Sequence, residues 1–538
     1  MNMPVERADT AASSANAPFS RSGSFIAWLP RALLIVTVLY GAVLFWIAPR
    51  PPLVDLPQHA AQVMLLRDLL EHTSRWGSVV RINAFTPYLI GYGLALPLTY
   101  VMPISAAIKL VLMLAYFGFV GSCIGFRRHL NGDPRLDVLF VPGFFGFAFA
   151  WGFYTFLVAA PVGMLFMWLA HRYAAAPSLK TGVQVVIAGT ALFFCHGLVF
   201  LFACASGVCF VLVRQPRLAH KVRALAPFVP LGLLCIAYTI WSHASDPVLG
   251  ETIDNVTAVD WGWTDRVAKR LLSLPVFVWS LTKEGAYYLP VLVLMVAAPW
   301  IWRDRINRDR AAIVPMAVVA LIWMLVPSTA MNTGFLYQRF AVFLLPAYAL
   351  MFVATKPSEE GTLRAASGSA LSRLRGSGVQ LAMIAGCLIF LTDQSIRLHR
   401  FVAENAALEE LLARMEPGHR ALNLAFDRES AAYRSPAAYM HQAVWYQADQ
   451  HGFVDPNFAT FVPEIVRFRP EQHPTGAQKI DEYPETFEWK KDSGRIYRYF
   501  FVRKAEPLAA DFFANSECDV ELLMHSGEWW LYERRNCR

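Results

Sequence analysis

Charge is what this sequence has least of. Asp, Glu, Lys and Arg make up 16% of the 538 residues, against 56% hydrophobic residues and a mean hydropathy of +0.38. Soluble globular domains carry about a quarter charged residues, so that class is excluded. Also missing are a phosphate-cradling Gly loop, a nucleophile elbow and a HExxH helix, which removes the usual signatures of ATP-driven chemistry and of serine or zinc hydrolysis. No internal repeat is visible. The net charge of +8 does not come as a basic stripe interleaved with aromatics, so nucleic acid is not an expected partner. Of eight cysteines, Cys123, Cys195, Cys204, Cys209, Cys235 and Cys387 fall in or beside apolar runs without metal-ligand spacing and read as small packing residues.

What is present is a series of apolar runs near the 20 residues that cross a bilayer as helix. They are Ala32–Ala48, Phe85–Val101, Ile104–Gly125, Val138–Ala150, Phe153–Ala170, Val183–Val213, Ala224–Trp241, Ala286–Trp302, Ala311–Pro327, Phe335–Ala354 and Val379–Leu391. The expectation is a polytopic α-helical membrane protein of about eleven transmembrane helices. Residues 1–24, rich in Ala, Ser and Asn, read as a disordered cytoplasmic tail. The first run ends in Pro-Arg-Pro-Pro without a small-x-small cleavage site and reads as a retained span. Residues 25–393 form the membrane domain, with an interfacial helix over 56–72 and an outer loop over 243–285. From 394 to 538 the composition is that of a small extracytoplasmic α/β domain, with strands expected at 421–426 and 496–504.

Lys and Arg gather on the cytoplasmic side of membrane proteins. With eleven spans, 214–223, 303–310 and 356–377 are cytoplasmic and the C-terminal domain is exported, periplasmic in a bacterial inner membrane. Arg127-Arg128 and His171-Arg172 then fall on the wrong side. Splitting Val183–Val213 at His196-Gly197, with Phe85–Val101 re-entrant, moves both inside. An exported C-terminus also permits a disulfide between Cys518 and Cys537, which flank an expected hairpin around His525-Ser526-Gly527.

Three stretches carry candidate chemistry. In 49–72, Asp55 and His59 stand four residues apart where the chain leaves its first span. On a helix they share the face of Val63, Leu66 and Leu70, expected to turn toward the bundle and lipid. An acid and an imidazole so placed can act as a general base on a sugar hydroxyl or hold a divalent metal, Mg or Mn, on a phosphate, with Asp55 as the ligand. The plainer reading is a capping box, Asp55-Leu56-Pro57-Gln58, with the carboxylate bound to the first-turn amides. In 334–346, Arg339 sits about one turn inside a span, where a guanidinium is costly unless it snorkels or grips a phosphate; Tyr337 lies beside it. In 243–265, Asp260, Trp261 and Trp263 combine carboxylate and aromatic faces, suited to a sugar or to the interfacial belt.

In this layout the chain resembles the GT-C superfamily of membrane glycosyltransferases. Asp55 stands where their exported first loop carries its acidic residue, the acidic loop follows the seventh span, and Tyr337-Gln-Arg339 to Pro346 is similar to a late Arg-Tyr…Pro segment. The single Asp departs from the Asp-Glu or Glu-x-Asp pair of many members. The resemblance implies a polyprenyl-phosphate-linked sugar as donor, transfer on the outer face and inversion at the sugar carbon. Two competitors remain: a transporter of lipid or polysaccharide, and a membrane-anchored assembly protein of the cell envelope.

Overall fold

A computed structural model describes residues 21–244, 267–330, 333–355, 370–474 and 477–538. The chain enters through α1 (Arg21–Ile47) and turns at Pro49–Pro52 into α2 (Leu56–Leu70). Strand β1 (Val80–Ile82) and a short helix α3 (Leu89–Ala95) follow. The long helix α4 (Ile104–His129) runs the full depth of the bundle, about 39 Å for 26 residues. Next come α5 (Phe147–Trp151), α6 (Tyr154–Ala175), α7 (Leu179–Cys195), α8 (Gly197–Arg214), α9 (Leu218–Ala224) and α10 (Phe228–Ala244). Six described helices are long and apolar enough to cross a membrane, seven if α9 and α10, bent by 52°, are one span; four shorter apolar helices accompany them. The protein is a multi-pass membrane protein.

Three expected spans take another form. Val138–Ala150 is no helix but two 3-10 turns and the five-residue α5, because Pro142, Gly143 and Gly146 interrupt it. It reads as a span because it is enclosed by protein, the one setting in which irregular backbone is tolerated at membrane depth. Phe85–Val101 yields only α3 and a 3-10 turn, Leu96–Tyr100. Val183–Val213 breaks at His196, whose extended backbone (φ −169°, ψ 123°) separates α7 from α8.

These differences settle the charge conflict. His129 Nε2 lies 3.0 Å from His171 Nδ1, and His171 Nε2 lies 2.9 Å from the Asp309 carboxylate, which also takes Arg214. Asn307 donates to the Leu130 carbonyl at 2.9 Å, and β2 (Arg305–Ile306) pairs with β3 (Phe352–Val353). The loops at 127–135, 171–172, 214–223 and 303–310 therefore share one end of the bundle. Lys109, near the start of α4, donates to the Ala48 and Pro49 carbonyls, so α2 and the C-terminal domain occupy the opposite end.

That domain is a mixed five-stranded sheet in the order β5-β4-β7-β9-β8. Strands β4 (Arg420–Ala425), β5 (Phe453–Asp455) and β7 (Tyr499–Arg503) are parallel, whereas β8 (Cys518–Ser526) and β9 (Trp529–Cys537) form an antiparallel hairpin. Cys518 and Cys537 are bonded across it. The period of two divides β7 between two cores: Phe500 and Val502 face a small outer core, while Tyr499 and Phe501 join the core of the bundle. A strand buried on both faces reads as one apolar run. The remaining strand, β6 (Val466–Phe468), leaves this sheet and pairs with β1 of the first loop, Val80 opposite Phe468.

A buried polar site where bundle and sheet domain meet

Helix α2 does not lie on a lipid interface. It is buried on every side from Leu56 to Leu66, between the bundle and the C-terminal domain. Its polar side chains explain this. Gln58 donates to the Pro456 carbonyl at 2.8 Å and accepts from the Phe458 amide, Gln62 accepts from the Val466 amide, and Asp68 binds His451 at 2.8 Å. A face that looks polar in sequence is covered by protein that supplies partners to Gln58, Gln62 and Asp68, with only Gln62 Nε2 among these side chains buried without one.

Asp55 occupies the N-cap of α2 but does not cap it. Its backbone is already helical (φ −90°, ψ −9°), no first-turn amide reaches its carboxylate, and Gln58 faces the sheet domain. The capping box is thus absent. Instead Oδ1 lies 3.3 Å from Nδ1 of His441, whose Nε2 lies 3.3 Å from the Asp481 carboxylate. Burial raises the Asp55 carboxyl above the ordinary range, opposed by the hydrogen bond and charge of His441 and by the charge of Arg339. Burial would lower His441, but Asp481 and Asp55 outweigh it and hold the imidazole up at about 10, protonated at neutral pH.

His59 turns to the next layer. Its Nδ1 donates to the Tyr92 hydroxyl at 2.7 Å, which donates in turn to Glu464. Burial, then the charges of Arg339 and His441, push His59 down to about 3, so the ring is neutral. Glu464 is raised to about 8 by burial, opposed by the Tyr92 hydrogen bond, with the Asp55 charge adding to the rise.

Arg339 sits in a 3-10 turn, Gln338–Phe340, that leads into the Ala341–Leu350 helix. Its guanidinium lies 3.6 Å over the Phe153 ring, donates to the Gly334 carbonyl at 2.9 Å and bonds Tyr88; its Nε is buried without a partner. What joins Arg339 to Asp55 is the elbow between α5 and α6. The Asp55 amide donates to the Trp151 carbonyl at 2.9 Å, and two residues on Phe153 carries the guanidinium. Gly152 between them has φ +84°, and a Cβ there would meet the Asp55 and Leu56 amide nitrogens at 3.0 Å, so only glycine fits. The elbow forces the acid and the guanidinium into one buried site.

His196 completes the deep wall. Tyr88 packs against it with its ring tilted, centroids 4.9 Å apart, and Phe156 meets it edge-on at 5.2 Å; Nδ1 accepts from the Leu198 amide and Nε2 is buried without a partner. Tyr337 belongs to a different contact set, edge-on to Trp323 at 5.1 Å with Arg270 4.3 Å over its ring. Asp260, Trp261 and Trp263 lie outside the described residues. Among the described residues no group of three or more His, Cys, Asp or Glu is arranged to hold a metal ion. The donor set around Asp55 does not suit a divalent cation either, since its neighbours are a protonated His441 and Arg339.

Sequence reasoning finds Asp55, His59 and Arg339 because each is a polar group in apolar surroundings. Tyr88, Tyr92, His441, Glu464 and Asp481 escape it, since each sits in an ordinary polar or aromatic context, and the last three join the site only through docking of the C-terminal domain.

No family model and no curated protein sequence matches the chain. Among solved structures, the fold is similar to that of ArnT from Cupriavidus metallidurans bound to undecaprenyl phosphate, with a TM-score of 0.51 and 10% sequence identity over 95% of this chain and 98% of that one. The likeness is one of fold, and it agrees with the membrane architecture that the resemblance stated above implied.

Proposed function

We propose that this protein is a membrane glycosyltransferase that takes a sugar from a polyprenyl-phosphate donor and passes it to an acceptor hydroxyl at the exported end of the bundle. The observation that carries the reading is the α5–α6 elbow, which holds a buried carboxylate and a buried guanidinium with an unused Nε around one site. The likeness of fold to a protein bound to undecaprenyl phosphate supports the class of donor.

Asp55 is the base. Its carboxylate takes the proton of the acceptor hydroxyl as that oxygen bonds to the sugar C1; the bond from C1 to the phosphate oxygen breaks, and the configuration inverts. Arg339 meets the charge left on the polyprenyl phosphate, the task for which a planar guanidinium is suited. His59, neutral and tied to Tyr92 through its Nδ1–H, orients the wall behind Asp55 and transfers no proton in the reaction. Because the residues around Asp55 do not fit a divalent ion, no step is routed through one. The orientation that follows puts the basic loops on the cytoplasmic side of the inner membrane and the sheet domain in the periplasm.

The test uses purified protein in proteoliposomes with a labelled polyprenyl-phosphate sugar. Asp55→Asn is expected to lower turnover by about 10²- to 10⁴-fold, the usual worth of a positioned base, with donor binding retained. Transfer at the wild-type rate by that variant would end the assignment.

A further inference from the structure

One buried group near the site has no part in the scheme above. His441 comes from the C-terminal domain, 387 residues from the Val54 carbonyl it touches. It stands between two carboxylates contributed by different parts of the molecule, Asp55 at the start of α2 and Asp481 in the short Ala477–Glu482 helix, each 3.3 Å from one ring nitrogen. The Phe458 ring closes it edge-on at 5.5 Å, and its neighbour Gln442 ties the same turn to the Pro51 carbonyl at 3.1 Å. Both ring nitrogens face acceptors, so the ring can satisfy them only as the doubly protonated imidazolium.

We propose that His441 is a positioning residue for Asp55, its imidazolium bridging Asp55 and Asp481 so that the sheet domain aims the base and keeps it a carboxylate. The inference rests on the transferase reading for the role of Asp55, but the bridge itself does not. A carboxylate enclosed in protein tends to take up a proton and lose its basicity; an adjacent fixed cation opposes this. Arg339 acts on Asp55 in the same sense, while neutral His59 does not. Asp481 in turn keeps the imidazole charged when Asp55 takes a proton during turnover. The sheet domain is then more than a cover: docking it sets the ionisation of the base.

Two arms test this on the full-length protein. The first follows thermal unfolding against pH for wild type and His441→Gln, which keeps a donor toward one carboxylate and loses the charge. His441 titrates near 10 in the folded protein and near 6.5 when unfolded, so its stabilisation is complete below pH 6.5 and is lost as pH rises to about 10. Wild type should lose stability across that window and His441→Gln should not; parallel curves would overturn the bridge. The second arm measures transfer. His441→Gln should lower kcat at least tenfold with the donor KM within twofold. It should also move the acid limb of the kcat profile to higher pH, since Asp55 has lost a cation. Asp481→Asn should move the alkaline limb to lower pH. A kcat and limbs like those of wild type would overturn the positioning role. Absence of transfer by wild type from any polyprenyl-phosphate donor, with the stability window intact, would instead overturn the transferase reading and with it the role, while leaving the bridge standing.

Discussion

At the scale of single residues, the site is governed by what burial does to charge. Glu464, raised to about 8, is protonated at neutral pH and accepts from Tyr92. A carboxyl whose folded value is raised contributes stability below its unfolded value near 4.5 that is lost as pH climbs to 8. Glu464→Gln removes that loss. Its melting temperature is expected to match wild type at pH 5 and to exceed it by several degrees at pH 8.5, read by thermal unfolding in detergent. Gly152 is the other residue on which much depends. Gly152→Ala forces an unfavourable backbone costing about 1–3 kcal/mol and drives a methyl against the α2 amides. Lowered thermal stability and loss of donor binding are expected together, because one elbow serves both Asp55 and Arg339. Arg339→Lys should raise the donor KM more than it lowers kcat, since the ammonium keeps the charge but loses the flat contact with Phe153.

At the scale of elements, the sequence speaks clearly where one environment surrounds a whole segment and misleads where environments change along it. Long helices such as α4 and α6 are legible because lipid and neighbouring helices both demand apolar residues. The same demand made the enclosed turns of 138–150 look like a span, and only the cluster of Pro142, Gly143 and Gly146 argues otherwise. Helix α2 shows the converse: Gln58, Gln62 and Asp68 suggest a wet face, yet each is met by the C-terminal domain. Asp55 could be picked out for its setting, but not the partners that reach it from residues 441–481. The β8–β9 hairpin is a simpler element. Its disulfide closes a loop of 19 residues and is expected to contribute about 3 kcal/mol. Cys518→Ser with Cys537→Ser should lower the melting temperature of the sheet domain, and reductant should do the same to wild type and nothing further to the double variant.

At the scale of the molecule, the two ends of the bundle differ in kind. One gathers Arg127, Arg128, Arg172, Arg214 and the 303–310 loop; the other carries the site and the sheet domain. A cysteine placed at exposed Arg308 should react with an impermeant maleimide only after the membrane is opened, and one at exposed Glu506 should react in intact spheroplasts. The two halves are also mutually dependent. Without residues 405–538, the buried amides of Gln58 and Gln62 and the carboxylate of Asp68 would lose their partners, at about 1–3 kcal/mol each.

The pairing of β1 with β6 has a consequence for biosynthesis. In the orientation proposed above the first loop crosses the membrane early in translation, yet the strand that pairs with it is translated almost four hundred residues later. During most of its time on the ribosome the nascent chain therefore exposes an unfinished edge and a helix with unmet polar groups. A chaperone of the exported side, or a slow and protected passage through the translocon, is what such an order of assembly calls for.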